Sequence, residues 1–123
     1  MIDVTGVQKE LISRVAYFKT DKHREAYVDI VSTGLIRNRR LAAAAYLLTV
    51  FPVLSAYISE GRINFEKVLD RTIVWSSGEK ALIKLAAHLY DPSRWSGNID
   101  DVFYILDEDN TRVALEALRI MYS

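Results

Sequence analysis

Residues 41–58 read LAAAAYLLTVFPVLSAYI, eighteen positions without a charged side chain. Such a stretch just reaches the length of a transmembrane helix. However, alanine contributes little to membrane insertion, and Thr49, Pro52 and Ser55 interrupt the apolar run. A helix that is apolar all round is also typical of the interior of a helical domain. We therefore predict a central buried helix, bent or broken near Pro52. A membrane span at residues 41–58 is the less favoured alternative.

On both sides of this segment, apolar residues recur at helical spacing. Leu11, Val15 and Phe18 indicate a first helix after a cap at Thr5. Side chains that can cap helix starts follow along the chain: Thr20 or Asp21, Asn64, Ser76 with Glu79, Asn98 with Asp101, and Asp109 or Asn110. No segment alternates convincingly as a strand would. The pattern predicts an all-α fold, a single compact bundle of about six or seven helices forming one domain, residues 1–123.

The composition is that of an ordinary globular domain without a strong overall charge. Half of the 123 residues are apolar, and 16 basic side chains balance 16 acidic ones. Residues 1–62 carry nine Lys or Arg and six Asp or Glu, whereas residues 63–123 carry seven and ten. Either these oppositely charged halves dock on each other, or a basic surface contacts an acidic partner. Cysteine is absent and the first residues do not resemble a signal peptide, so we expect a cytoplasmic protein.

The two histidines are the first residues to consider for catalysis or metal binding. His88 and Asp91 are three positions apart and could share a helix face around a metal ion. A histidine at the end of a helix also interacts favourably with the helix dipole, which is the simpler interpretation of His88. We interpret His23, which lies beside an apolar helix face, as a partly buried packing residue.

Two further patterns resemble functional motifs only in part. Ser77 and Lys80 have the spacing of a serine acyl enzyme, but the companion motifs are missing. Residues 107–109 do not continue as a calcium-binding loop, because Leu118 stands where the glutamate is required. A glycine-rich phosphate loop is also absent from the sequence. We predict a non-enzymatic protein without catalytic residues, metal or cofactor, and an enzyme built on His88 and Asp91 is the least favoured alternative.

Four residues are the best surface candidates for an interaction. Arg37, Arg39 and Arg40 form the only dense basic cluster, which is typical either of a solvated turn or of a phosphate-binding surface. Trp95 lies in a predicted loop and could anchor a partner or fix the loop to the core. Trp75 is better explained as a core residue.

Several segments together resemble a small uncharacterised all-helical family encoded by phages and prophages of Gram-positive bacteria. The closest segments are WSSGEK at residues 75–80 and KLAAHLYD at residues 84–91. Weaker similarities lie at residues 18–23, 46–48, 102–103, 106–107 and 117–119. The resemblance implies a genetic setting and a bacterial host. The family has no established activity, so the resemblance implies no site residues.

These observations favour a viral accessory protein that acts by protein binding. The expected partner is a host or phage protein, and a homodimer is a further option because small helical proteins often bury a leftover apolar stripe in one. A DNA-binding accessory protein that uses Arg37, Arg39 and Arg40 is the main alternative. Its binding would weaken steeply with salt.

Overall fold

The computed structural model describes residues 6–123, which are mostly helical. The helices are α1 (Gly6–Ser13), α2 (Asp21–Ser32), α3 (Arg39–Leu48), α4 (Phe65–Arg71), α5 (Ser77–Tyr90), α6 (Ile99–Phe103) and α7 (Glu108–Tyr122), with a 3₁₀ helix at Pro52–Tyr57. A hairpin of two-residue strands, β1 (Ile58–Ser59) and β2 (Arg62–Ile63), precedes α4. The mostly helical fold was predicted, and the hairpin was not.

Helix α3 contains the most deeply buried segment of the chain. Every residue from Leu41 to Leu48 is buried, and α3 packs mainly against α5 and α7. Residues 41–58 do not form one helix: α3 ends just before Pro52, where a bend or break was predicted. In a continuous helix, the ring of Pro52 would clash with the carbonyl of Leu48, four residues earlier. Phe51, which precedes the proline, has an extended backbone. Helix α3 therefore ends at Leu48, and Pro52 begins a separate 3₁₀ helix.

The hairpin between Ile58 and Ile63 is held by a two-residue turn. Ile58 pairs with Ile63 and Ser59 with Arg62 in antiparallel register. Glu60 and Gly61 both have positive φ, 53° and 75°, as a type I′ turn requires. Strands of two residues are too short to show an alternating pattern, so they could not be predicted from the amino-acid sequence.

The first helix ends earlier than its apolar spacing predicts. Helix α1 stops at Ser13, so Val15 and Phe18 lie beyond it, and the predicted cap at Thr5 lies outside the described residues. The backbone N–H of Ala16 donates to the carboxylate of Glu116 at 2.6 Å instead of continuing the helical ladder. A contact with the last helix therefore decides where this segment leaves the helical path.

Most helix starts have the predicted cap. The side chain of Thr20 accepts from His23 N–H, Asn64 caps α4, and Ser76 forms the predicted capping box with Glu79. Asn98 caps α6 by accepting from the backbone N–H of Asp101. The start of α7 was predicted too late. Asp107, rather than Asp109 or Asn110, caps it by accepting from Asn110 N–H at 2.8 Å.

The membrane alternative for residues 41–58 finds no matching element. Of the helices formed by residues 6–123, none combines the length and the apolar composition needed to cross a bilayer. The ten residues of α3 are about half the length of a typical transmembrane helix.

Candidate protein-interaction surface

The loop that carries Trp95 is fixed to the end of α5. The backbone N–H of Trp95 donates to the carbonyl of Asp91 at 2.9 Å, and His88 Nδ1 lies 2.9 Å from the carbonyl of Trp95. The Arg94 guanidinium stacks on the indole, 4.9 Å from its centroid, and pairs with Glu66. Trp95 is half-buried against the core. Trp95 thus fixes the loop to the core, and it also lines the larger of the two concave regions described next.

Two concave regions lie on either side of α6. The larger, of about 820 Å³, lies between the Trp95 loop, α5 and α6. Ala81 and Val102 contribute apolar surface to it, and Lys80 and Asp101 contribute polar surface. The smaller, of about 190 Å³, lies between α5, α6 and α7, and is called the anchor pocket below. Its apolar lining comes from Leu85, Leu89, Ile99, Phe103, Leu118 and Tyr122.

Several large apolar side chains of α6, α7 and the loop between them are exposed, and two of them, Ile99 and Tyr122, line the anchor pocket. Residues 6–123 include ten exposed large hydrophobic residues, and five of them fall within residues 99–122. These five, called the α6–α7 patch below, are Ile99, Tyr104, Ile105, Leu115 and Tyr122. Tyr104 is 87% exposed and Ile99 is 72% exposed. Concentrations of exposed apolar surface of this kind mark interaction sites more often than isolated residues do.

The patch is accompanied by a run of acidic side chains. Asp100, Asp101, Asp107, Glu108 and Asp109 are all exposed, and residues 96–111 contain no Lys or Arg. None of the ion pairs found within the described part of the chain involves these five carboxylates. Asp101 and Asp107 are hydrogen-bonded at helix starts, but neither forms an ion pair with a cation of residues 6–123.

Among the described residues, the two oppositely charged halves of the chain form no ion pairs with each other. Between Gly6 and Ser123 the ion pairs are Arg14 with Glu10, Arg94 with Glu66, and Arg119 with Glu116. Each pair lies within one half of the chain. The halves pack through apolar contacts instead, so both the basic and the acidic excess remain on the surface.

The predicted arginine cluster is divided between structure and surface. Arg40 is half-buried, and its Nη1 donates to the carbonyl of Leu89 at 3.0 Å near the end of α5. This carbonyl lacks a partner within its own helix, so Arg40 serves as a cap for α5. Arg37 and Arg39 are exposed. The structure thus leaves two of the three arginines available to bind a partner.

His23 is completely buried, more deeply than predicted. Its Nδ1 accepts the backbone N–H of Lys19 at 3.1 Å, which leaves Nε2 to donate to the carbonyl of Tyr46 at 2.7 Å. The ring packs against Phe18 and Tyr46. Burial lowers the pKa of His23 to about 4, because the charged imidazolium would lose its hydration. A neutral His23 therefore fits the packing role.

The residues considered for catalysis or metal binding form hydrogen bonds with residues nearby in the chain. His88 bonds to the Trp95 carbonyl, whereas Asp91 accepts the Ser93 hydroxyl at 2.7 Å. Over the described range of the chain, no three His, Asp or Glu side chains converge as they would to hold a metal ion. Lys80 Nζ lies 3.4 Å from the carbonyl of Ile73.

Sequence reasoning identified Trp95 but missed the α6–α7 patch. On α7, Ala114 and Ala117 are buried, whereas Leu118 and Met121 are only half-buried. Leu115, Leu118 and Tyr122 have the i, i+3, i+7 spacing of one helix face, which is a signal for a second apolar stripe. No family model, no curated protein and no solved structure matches this chain.

Proposed function

We propose that this chain is a non-enzymatic protein that acts by binding another protein through the α6–α7 patch. The observation that carries the proposal is the exposure of five large apolar side chains within residues 99–122, two of which, Ile99 and Tyr122, line one small apolar pocket. Binding hot spots are typically large side chains that fill such pockets in a partner and exclude water from a surrounding contact area. We take α3 to be the central apolar helix that holds α5 and α7 in place beneath this surface.

At the α6–α7 patch, the size of the anchor pocket suits one side chain of a protein partner better than a drug-sized ligand. Pockets for cofactors and drug-sized ligands usually enclose about 300–1,000 Å³. The anchor pocket, at about 190 Å³, has room for one large side chain. Its lining residues Ile99 and Tyr122 continue outward as exposed surface, so a partner can bury contacts beyond the pocket itself.

The resemblance to phage and prophage proteins supplies the biological setting of the proposal. We propose that the protein is a phage or prophage accessory protein that acts in the cytoplasm of a Gram-positive bacterium. Its partner would be a protein of the host or of the phage. A second copy of the chain could also occupy the patch, and light scattering would report it as a dimer.

Affinity capture with matched variants tests the proposal. The patch variant carries Ile99→Ser and Tyr122→Ser, whereas the control carries Ile73→Ser and Val74→Ser in the equally exposed turn before α5. We expect wild type and control to capture the same bacterial protein, and the patch variant to lose it. Circular dichroism checks that all three fold. Capture of nothing by the wild type, or equal capture by the patch variant, contradicts the proposal.

DNA binding is a second proposal, and it rests on the exposure of Arg37 and Arg39. Two arginines are a small basic surface, which is why this proposal ranks lower. It predicts binding to duplex DNA that weakens steeply with salt and is lost in the Arg37→Ala, Arg39→Ala double variant. Binding that ignores salt, or no binding at low salt, rejects it.

A further inference from the structure

We infer that the α6–α7 patch receives a basic amphipathic helix of the partner protein. The inference rests on the proposed function and adds the chemistry of the partner. The anchor pocket and the apolar face of α7 indicate that the partner helix has an apolar face. The exposed carboxylates of residues 100–109 indicate that it is positively charged.

The apolar surface has the length and spacing that suit a helix. Tyr122 and Leu118 line the anchor pocket, and Leu115 continues the same face of α7 by about one turn. Ile99 and Phe103 border the pocket from α6. A partner helix could place one large side chain in the pocket and the next apolar residues, at i+3, i+4 and i+7, along α7.

The charges that a partner would meet are predominantly negative. Asp100 neighbours Ile99 on α6, and Glu108 stands seven residues before Leu115 at the start of the same α7 face. Asp107 and Asp109 lie at the start of α7, and neither forms an ion pair within residues 6–123, whereas Asp101 lines the larger concave region together with Lys80. Opposite charge attracts a partner and like charge repels it, so the surface selects a basic segment.

The cations near the patch change this balance little. The Arg112 guanidinium stacks 4.2 Å from the centroid of the Tyr17 ring. Arg119 binds the buried carboxylate of Glu116 at 2.7 Å. Lys84 is the exposed cation that lines the anchor pocket itself, next to His88. Lys80 and Arg94 line the larger concave region on the other side of α6, together with Asp101.

Three synthetic peptides of about 14 residues, roughly four helical turns, distinguish the need for basic charge from the need for apolar residues at helical spacing. The first has leucines at helical spacing with lysines elsewhere, the second replaces the lysines by glutamates, and the third scrambles the first. Titration into the ¹⁵N-labelled protein is followed by NMR. We expect the first peptide to shift the amides of Ile99, Leu118 and Tyr122 and to bind at least about tenfold more tightly than the others. Equal binding by the acidic or the scrambled peptide, or shifts confined to other helices, overturns the inference.

Charge variants provide the second arm of the test. Asp100→Asn with Glu108→Gln should weaken binding of the basic peptide by several-fold. Glu25→Gln with Asp29→Asn on α2, which are also exposed, should leave it unchanged. If both pairs weaken binding equally, the effect is one of net charge and the inference fails. If the basic peptide does not bind but the Ile99→Ser, Tyr122→Ser variant still loses its captured protein, the inference is wrong and the proposed function stands. If that variant captures the protein as well as wild type does, the proposed function is wrong too.

Discussion

His88 is hydrogen-bonded to the carbonyl of Trp95, with 2.9 Å between Nδ1 and the carbonyl oxygen. Because the carbonyl can only accept, Nδ1 carries the proton and donates it. The bond joins the last turn of α5 to the loop that leads into α6. Gly97 lies directly beside the same ring, since a Cβ built there would be 3.4 Å from His88 Cβ. The position of α6, and with it the anchor pocket, depends on this close approach.

Replacement of His88 should loosen the Trp95 loop. In a Trp75→Phe background, His88→Ala should shift the fluorescence emission of Trp95 to longer wavelength, because the indole becomes more exposed to water. The loss of one side-chain hydrogen bond predicts a decrease of about 1 kcal/mol in the free energy of unfolding. Lys84→Ala, an exposed change on the same helix, is the control. Unchanged emission and stability in His88→Ala would show that the bond does not fix the loop.

Glu116 should be among the most important charged residues for stability. Although burial opposes ionisation, hydrogen bonds from Arg119 and from the Ala16 amide hold the pKa of this carboxyl below its usual value. Glu116→Gln weakens both, so we expect the free energy of unfolding to fall by about 2 kcal/mol. Glu66→Gln, which breaks the exposed pair with Arg94, should cost about 0.5 kcal/mol or less. Similar losses in urea denaturation of the two variants would contradict the assignment.

The burial of His23 predicts acid sensitivity. The folded-state pKa of about 4 lies below the model-compound value of 6.5, so between these pH values the unfolded chain binds the extra proton. Stability contributed by neutral His23 is therefore complete above pH 6.5 and is lost as the pH falls toward 4, by about 3 kcal/mol in all. Urea denaturation at several pH values measures this. His23→Gln should flatten the dependence between pH 6.5 and 5, and an unaltered slope would assign it to other groups.

Two glycines should respond to alanine in opposite directions. Gly34 has φ of 77°, and an added Cβ would lie 2.7 Å from Gln8 Nε2, so Gly34→Ala should destabilise the protein by about 1 kcal/mol or more. Gly78 lies inside α5, and its nearest neighbour to an added Cβ is Asn110 Nδ2 at 4.0 Å. Gly78→Ala should therefore stabilise by about 0.5 kcal/mol. Thermal unfolding of both variants gives the two signs, and shifts in the same direction would contradict this account.

The features that were predicted correctly depend on local sequence. Thr20, Asn64 and Ser76 cap helices through bonds to residues three positions ahead, and such bonds can be read from short patterns. The end of α1 depends instead on Ala16 and Glu116, which are 100 residues apart. No local pattern contains that contact.

The candidate surface was hidden from sequence analysis for a related reason. The sequence shows that Ile99 and Tyr122 are apolar, but their exposure follows from how α6 and α7 each pack on α5. Trp95 was visible as a loop tryptophan, whereas the hydrogen bond that fixes it was not. The use of Arg40 as a cap for α5 likewise depends on a contact across 49 residues.

Site-specific photo-crosslinking in bacterial cells tests the central claim most directly. A benzophenone amino acid replaces Tyr122, which is 66% exposed and lines the anchor pocket, or Ile73, which is 68% exposed and lies outside the lining of both concave regions. Mass spectrometry identifies the crosslinked species. The α6–α7 docking surface predicts a defined protein partner crosslinked from position 122 and not from position 73. Equal crosslinking from both positions, or from position 73 alone, would contradict it.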